Sequence, residues 1–217
     1  MWLWTYQLKW YPALHHMSAA TSLEALAVTA SLFSVWLTIH RRISCWPVGL
    51  VGVAAYFGLF VRERLYADAA LQIIYFAQGV YGWYSWHHDE LQSAPPIRTL
   101  SMRWRLTFMV GLATVAWGTG SLLARYTDAA APHWDAAASA TSLAANQLLT
   151  RRYIENWVLW VAVDVVYVGL FSWKGLYLSA ALYVLFLVMA AAGLRRWMHE
   201  RRTQVATYEL APAAEAI

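Results

Sequence analysis

Charge is scarce in this chain. Asp, Glu, Lys and Arg make up 13% of its 217 residues, about half the share of a soluble domain. A large water-facing surface is therefore excluded. Cysteine is nearly absent: Cys45 is the single copy, so no intramolecular disulfide and no zinc or haem spacing exists. The histidine pairs His15-His16 and His87-His88 are adjacent in sequence. Neighbours point to different faces of a helix, and no HExxH or i, i+4 pair occurs. No metal and no cofactor is expected. Neither a metal nor a nucleophile–base pair can be assembled near an interface, so the chain does not read as an enzyme. The net charge is +4, but the basic residues sit in short loops and the tail. That placement reflects membrane topology and speaks against a nucleic-acid partner.

What remains is apolar, at 60% of the residues. The stretches 25–39, 43–61, 69–86, 106–124, 136–150 and 175–194 carry no charged residue, and 156–173 carries Asp164 alone. A spanning helix needs about 20 mostly apolar residues. Glu24 and Asp135 mark the interfacial ends of the two shorter stretches, so the pattern predicts seven transmembrane helices in an all-α membrane protein. Trp occurs 14 times, often at the ends of these stretches, as Trp46, Trp86, Trp104, Trp134, Trp173 and Trp197 do. This is the aromatic belt of the two headgroup levels.

With seven spans the loops alternate sides. Lys9, Arg62, Arg64, Arg125 and Lys174 fall on one side, and the other eleven basic residues on the other. The positive-inside rule makes the second side cytoplasmic. The N-terminus is then outside and the C-terminus inside. Residues 1–19 lack an unbroken apolar run and a cleavage site, and are expected to lie at the interface. The tail 200–217 is expected to be cytoplasmic, and disordered from about Thr203.

The chain also repeats itself at a separation of 111 residues. Arg41 falls on Arg152, Trp46 on Trp157, Tyr56 on Tyr167, Gly82 on Gly193, Trp86 on Trp197 and Glu24 on Asp135. Units of three helices at 20–88 and 131–199 are expected, joined by a linker and a connecting helix within 89–130. Three helices alone would invert the second unit. The extra span makes the repeats parallel, a transporter architecture with its site near the midplane between them.

Asp164 lies near the centre of the sixth span. A carboxylate there costs about 2.5–3.5 kcal/mol to insert and is a functional-site hypothesis by default. Trp157, Trp160, Asp164, Tyr167 and Phe171 share one helical stripe by their spacing of 3 and 4. Aromatic faces with one acid suit an organic cation. In the first unit Gly49 and Val53 stand where the second has Trp160 and Asp164, so the first unit is expected to leave space for the ligand. The third span places Gln72 and Tyr75 on one face, with Tyr183 as the repeat mate of Gln72. Asn146 and Gln147 serve equally well as ligand contacts or as interhelical glue.

Four stretches carry a family resemblance: Trp46-Pro-Val-Gly-Leu, Leu65-Tyr-Ala-Asp-Ala-Ala-Leu-Gln72, Tyr81-Gly-Trp-Tyr-Ser-Trp86 and Ile154-Glu-Asn-Trp-Val-Leu-Trp160. With them the chain resembles the Pnu family of bacterial vitamin transporters. The resemblance implies a 3+1+3 fold similar to that of SWEET sugar transporters, a homotrimer in the bacterial inner membrane, and facilitated diffusion of nicotinamide riboside trapped by intracellular phosphorylation. It also implies a site at Gln72, Asn156, Trp157, Trp160 and position 164. The nicotinamide riboside branch has an amide at the last position, whereas Asp164 looks more like the thiamine branch. Thiamine is therefore the alternative substrate. A non-transporting membrane subunit is the remaining reading, and the divergence of the two units around Asp164 argues against it.

Overall fold

The computed structural model describes residues 17–91, 96–127, 132–173 and 175–214. Its seven helices are α1 (Met17–Ile39), α2 (Cys45–Arg62), α3 (Tyr66–Leu91), α4 (Met102–Tyr126), α5 (Pro132–Thr150), α6 (Glu155–Trp173) and α7 (Tyr177–Ala214). The interfacial segment expected at 1–19 lies outside the described residues, apart from its last three, which open α1.

Neighbouring helices pack in the order α1–α2–α3–α5–α6–α7 and back to α1, a closed ring of six. The two contacts that join the units, α3 with α5 and α1 with α7, exchange under the repeat. The ring therefore has the pseudo-twofold symmetry of two parallel three-helix units. The connecting helix α4 stands outside the ring and packs on α5. Its Val110, Trp117 and Leu122 are exposed, an apolar surface of the kind that lipid covers.

By length and composition α1, α2, α4, α6 and α7 are apolar enough to cross a bilayer. The other two are more polar: α3 carries Gln72 and Gln78, and α5 carries Asn146 and Gln147. Their neighbours explain this. α5 is enclosed by α3, α4 and α6, and polar groups at membrane depth must be satisfied by protein. Asn146 Nδ2 donates to Gln78 Oε1 at 3.0 Å, and Gln78 Nε2 donates to the Leu143 carbonyl at 3.2 Å. Asn146 is thus glue between the units. A double-mutant cycle of Gln78→Leu with Asn146→Leu is expected to give a coupling near 0.6 kcal/mol, the usual value for such pairs in membranes. Thermal unfolding in detergent measures it.

The loops carry the repeat as faithfully as the helices. Arg41 (φ 55°) and Arg152 (φ 57°) adopt the left-handed region in the α1–α2 and α5–α6 turns. Arg64 (φ 59°) and Gly175 (φ 72°) do so after α2 and α6. The same backbone bonds close each turn: Arg42 N to Leu37 O and Tyr153 N to Leu148 O, both 3.0 Å, and Leu65 N to Phe60 O at 2.7 Å against Leu176 N to Phe171 O at 2.9 Å.

Glycines seat the large rings. A Cβ on Gly193 would stand 2.6 Å from the Trp157 ring, and one on Gly82 would strike the Trp46 ring in the same way. Each tryptophan of α2 or α6 thus lies flush against the next helix of its own unit. Gly193→Ala is expected to destabilise the protein by about 1–3 kcal/mol, the usual penalty for overpacking. Gly169→Ala, with nothing within 4 Å of the added carbon, is expected to be stabilising or neutral, since Ala is the better helix former. Thermal melts of the two variants compare them.

One expectation is corrected. The chain from Thr203, expected to be disordered, continues α7 to Ala214. Three contacts support the extension. Arg196 Nε and Glu200 Oε1 pair at 2.9 Å one turn apart, Glu200 Oε2 lies 3.5 Å from Arg41 Nη1, and Gln204 Oε1 accepts from Ile97 N at 3.1 Å. The linker before α4 thereby clasps the extended helix.

Candidate functional site

The site is built on α6. This helix holds a β-branched, aromatic sequence from Trp157 to Trp173, and Asp164 is its one charged residue after Glu155. Such a segment is helical because lipid leaves its backbone no other partners. Its ring-facing side buries Trp157, Val163, Asp164, Tyr167 and Phe171. Asp164 is 5% exposed, and it sits about two turns, or about 10 Å, from Trp157 along the axis.

Around it the structure assembles tyrosines from four helices. Tyr183 of α7 lies 4.7 Å from Tyr167 and 5.3 Å from Phe171 between ring centroids. It is also within electrostatic range of Asp164, of Tyr75 on α3 and of Tyr56 on α2. The Tyr75 hydroxyl bonds the hydroxyl of Ser142 on α5, which is buried. Asp164, Tyr75, Tyr167 and Tyr183 thus lie near one another, although helical spacing alone puts only Asp164 and Tyr167 on one stripe. Gln72 lies one turn from Tyr75 on α3 and is half-buried. Three carboxylates stand at the end of the bundle where α1, α3 and α5 begin. Asp68 and Asp135 are within electrostatic range of Tyr167, and Glu24 of Tyr56.

The opposite, arginine-rich end gathers four tryptophans. Trp46 meets Trp86 edge-on at 5.5 Å and 84°, and Trp157 meets Trp197 at 5.6 Å and 84°. Trp86 and Trp197 then approach each other at 6.5 Å. This chain of four rings runs from one unit into the other. Trp157 thus repeats the packing of Trp46, its ring seated against Gly193 of the next helix as Trp46 is against Gly82. Asn156 is fully buried beside it. Its Nδ2 donates to the Tyr153 carbonyl at 2.6 Å, while Oδ1 has no partner among the described residues.

Residues 21–199 match the family described as nicotinamide mononucleotide transporter. The chain belongs to this family. The nicotinamide riboside transporter PnuC of Escherichia coli is 30% identical over 206 residues, covering 83% of this chain and 86% of PnuC. The riboflavin/roseoflavin transporter RibM of Streptomyces davaonensis is 28% identical over 189 residues, covering 84% of this chain and 87% of RibM. Among solved structures, the crystal structure of the vitamin B3 transporter PnuC superposes with a TM-score of 0.69 at 20% identity, over 86% of this chain and 84% of that one. These place the chain in the Pnu family, with the 3+1+3 membrane fold and a multi-pass location in the membrane.

Within this Pnu fold the first unit does not leave the expected space at Gly49. A Cβ there would stand 2.9 Å from Ser34 Oγ of α1. In the second unit the mates of Ser34 and Gly49 are Ala145 and Trp160. Ala145 is fully buried, and the Trp160 ring packs on its cluster. The pair has exchanged bulk across the helix contact, so Gly49 serves packing. Trp160 is half-buried, with one face given to α5. Helical spacing does not by itself bring Tyr56 and Ser142 to this cluster of tyrosines. The signal for Tyr56 was present, because it is the repeat mate of Tyr167. Ser142 is the repeat mate of Ser31, but its bond to Tyr75 depends on α5 meeting α3.

Proposed function

We propose that the chain takes up nicotinamide riboside by facilitated diffusion across the bacterial inner membrane. The observation that carries this reading is Asp164, a carboxylate buried at mid-membrane within a cage of tyrosines from both units. Nicotinamide riboside carries a pyridinium ring. Its positive charge offsets the desolvated carboxylate, and the tyrosine faces add about 0.5–2 kcal/mol each through their quadrupoles. Gln72, Asn156, Trp157 and Trp160 complete the binding residues, contacting the ribose and the far edge of the ring. The Asn156 carbonyl oxygen is a ready acceptor there.

Transport follows from the pseudo-symmetry. The two units rock about the chamber, so that it opens in turn to the acidic mouth and to the arginine-rich end. Glu24, Asp68 and Asp135 raise the local concentration of a cation at the mouth. Separation of the Trp86–Trp197 pair opens the other end. The arginine-rich end is cytoplasmic, which places the N-terminus outside and the C-terminus inside. No ion coupling is required. Phosphorylation in the cytoplasm makes the product anionic and unable to return past Asp164. The working unit is a homotrimer, with the apolar face of α4 available to neighbouring copies or lipid.

Thiamine is the second reading, because its thiazolium cation would pair with Asp164 in the same way. Titration calorimetry on the purified protein with nicotinamide riboside, thiamine and riboflavin separates the cases. Tight binding of nicotinamide riboside alone is the expected result. Binding of thiamine alone would assign the thiamine branch. Riboflavin carries no cation, so its binding would remove the counter-ion role from Asp164.

A further inference from the structure

The ring of six helices closes at two seams where the units meet, α3 with α5 and α1 with α7. The repeat exchanges the two seams, yet their side chains differ in kind. We propose that α3–α5 is the pivot on which the units turn and α1–α7 is the seam that parts, so that the ring opens on one side only. This rests on the rocking motion proposed above, but the geometry can be measured without any substrate.

Polar bonds tie α3 to α5 at three levels. The Tyr75 hydroxyl bonds that of Ser142. One turn on, Asn146 Nδ2 donates to Gln78 Oε1 at 3.0 Å, and Gln78 Nε2 donates to the Leu143 carbonyl at 3.2 Å. At the arginine-rich end Trp86 Nε1 donates to the Thr150 carbonyl at 3.2 Å. Arg152 adds to this last level: its guanidinium lies 4.5 Å over the Trp86 ring, and Nη2 donates to the Trp86 carbonyl at 3.4 Å. Positions 75, 78 and 86 share one face of α3, and 142, 146 and 150 share one face of α5, so the bonds run along the seam.

The other seam has apolar side chains at the equivalent places. Phe186 and Met189 stand for Tyr75 and Gln78, and Val35 and Ile39 stand for Asn146 and Thr150. Val35 and Met189 pack against the cluster that buries Leu37, Ile39, Ala190 and Trp197. Arg41 and Glu200 pair at 3.5 Å at the arginine-rich end, where both are partly exposed. An ion pair that water reaches adds little to hold a seam.

Lipid decides between the two seams. Hydrocarbon solvates Phe, Met and Val side chains about as well as a neighbouring helix does, so an apolar seam parts at little cost. Parting α3–α5 would turn the amides of Gln78 and Asn146 towards hydrocarbon without partners. Hydrogen bonds are also directional, so that seam accepts a small turn and resists separation. A turn about α3–α5 keeps Trp86 on the α5–α6 turn and carries Trp197, 6.5 Å away, out of its reach.

Pulsed dipolar spectroscopy on spin-labelled protein in lipid nanodiscs tests this. In a Cys45→Ala background, His88→Cys with Arg151→Cys reports on α3–α5, and His199→Cys with His40→Cys reports on α1–α7. The two pairs are repeat mates. A single narrow distance is expected across α3–α5, and a broad or two-peaked distribution across α1–α7 whose balance shifts with nicotinamide riboside. Equal breadth across both seams, or the greater breadth across α3–α5, would overturn the proposal. A broad α1–α7 distribution that nicotinamide riboside leaves unchanged supports the pivot and counts against the substrate reading instead. Val35→Asn with Met189→Gln moves the polar pair to the parting seam. It is expected to narrow the α1–α7 distribution and to slow uptake into proteoliposomes at least about threefold, the factor that an ordinary interhelical pair supplies. A folded double variant with unchanged distribution and unchanged uptake would also overturn the pivot. If that variant does not fold, the two label pairs on the native seams decide alone.

Discussion

Asp164→Asn is expected to weaken binding of nicotinamide riboside by at least about thirtyfold, while the protein stays folded. The side chains are isosteric, so the packing of α6 against Tyr167 and Tyr183 is kept. What is lost is the charge. Removing one partner of a desolvated charge pair costs about 2–5 kcal/mol, and 1.4 kcal/mol is a factor of ten. Calorimetry on the two proteins reads the ratio directly, and a thermal melt provides the control. The Asn variant is expected to melt at or above the wild-type temperature, because it no longer buries a carboxylate without its cation. An Asn variant that binds as well as the wild type would show that the tyrosine cage alone recognises the ring. A variant that prefers nicotinamide riboside over thiamine, when the parent shows the reverse, would identify position 164 as the selector between the two vitamins.

Trp197→Ala is expected to have the largest effect on stability of any single substitution outside the helix turns. Trp197 is fully buried and Trp86 is 1% exposed. They are the two rings through which the units touch at the arginine-rich end. Truncating a buried tryptophan costs about 3–5 kcal/mol, from lost transfer energy and the cavity left behind. Trp117→Ala serves as the comparison, since Trp117 is 71% exposed on α4 and its loss is expected to fall within about 0.5 kcal/mol. Thermal melts by size-exclusion chromatography rank them. Trp197→Ala also breaks the chain of rings at the arginine-rich end, so proteoliposomes bearing it are expected to leak preloaded substrate faster than those bearing Trp117→Ala. Equal melting temperatures for the two variants would mean that the ring chain does not hold the units together.

The sequence by itself determined the membrane class, the number and order of the helices, and the duplication. These depend on composition and on one fixed offset, which survive without knowledge of contacts. The pairs Arg41 with Arg152 and Trp86 with Trp197, read as letters, became matched turns and matched ring contacts. The stripe of α6 was likewise legible, because helical spacing alone places Asp164 and Tyr167 on one face. Tertiary structure decided the rest. Ser34 facing Gly49 cannot be told from Ala145 facing Trp160 until α1 is seen against α2 and α5 against α6. A glycine reads alike whether its space is taken by a ligand or by a neighbour's hydroxyl. Gln78 with Asn146 and Tyr75 with Ser142 lie far apart in sequence and meet through the packing of α3 on α5. A cavity at the arginine-rich end arises in the same way, since Arg98 reaches Arg151 and Arg152 only because the linker pairs its backbone across their turn. Periodicity records which face of a helix is apolar, and the close packing of one helix on another decides what that face touches.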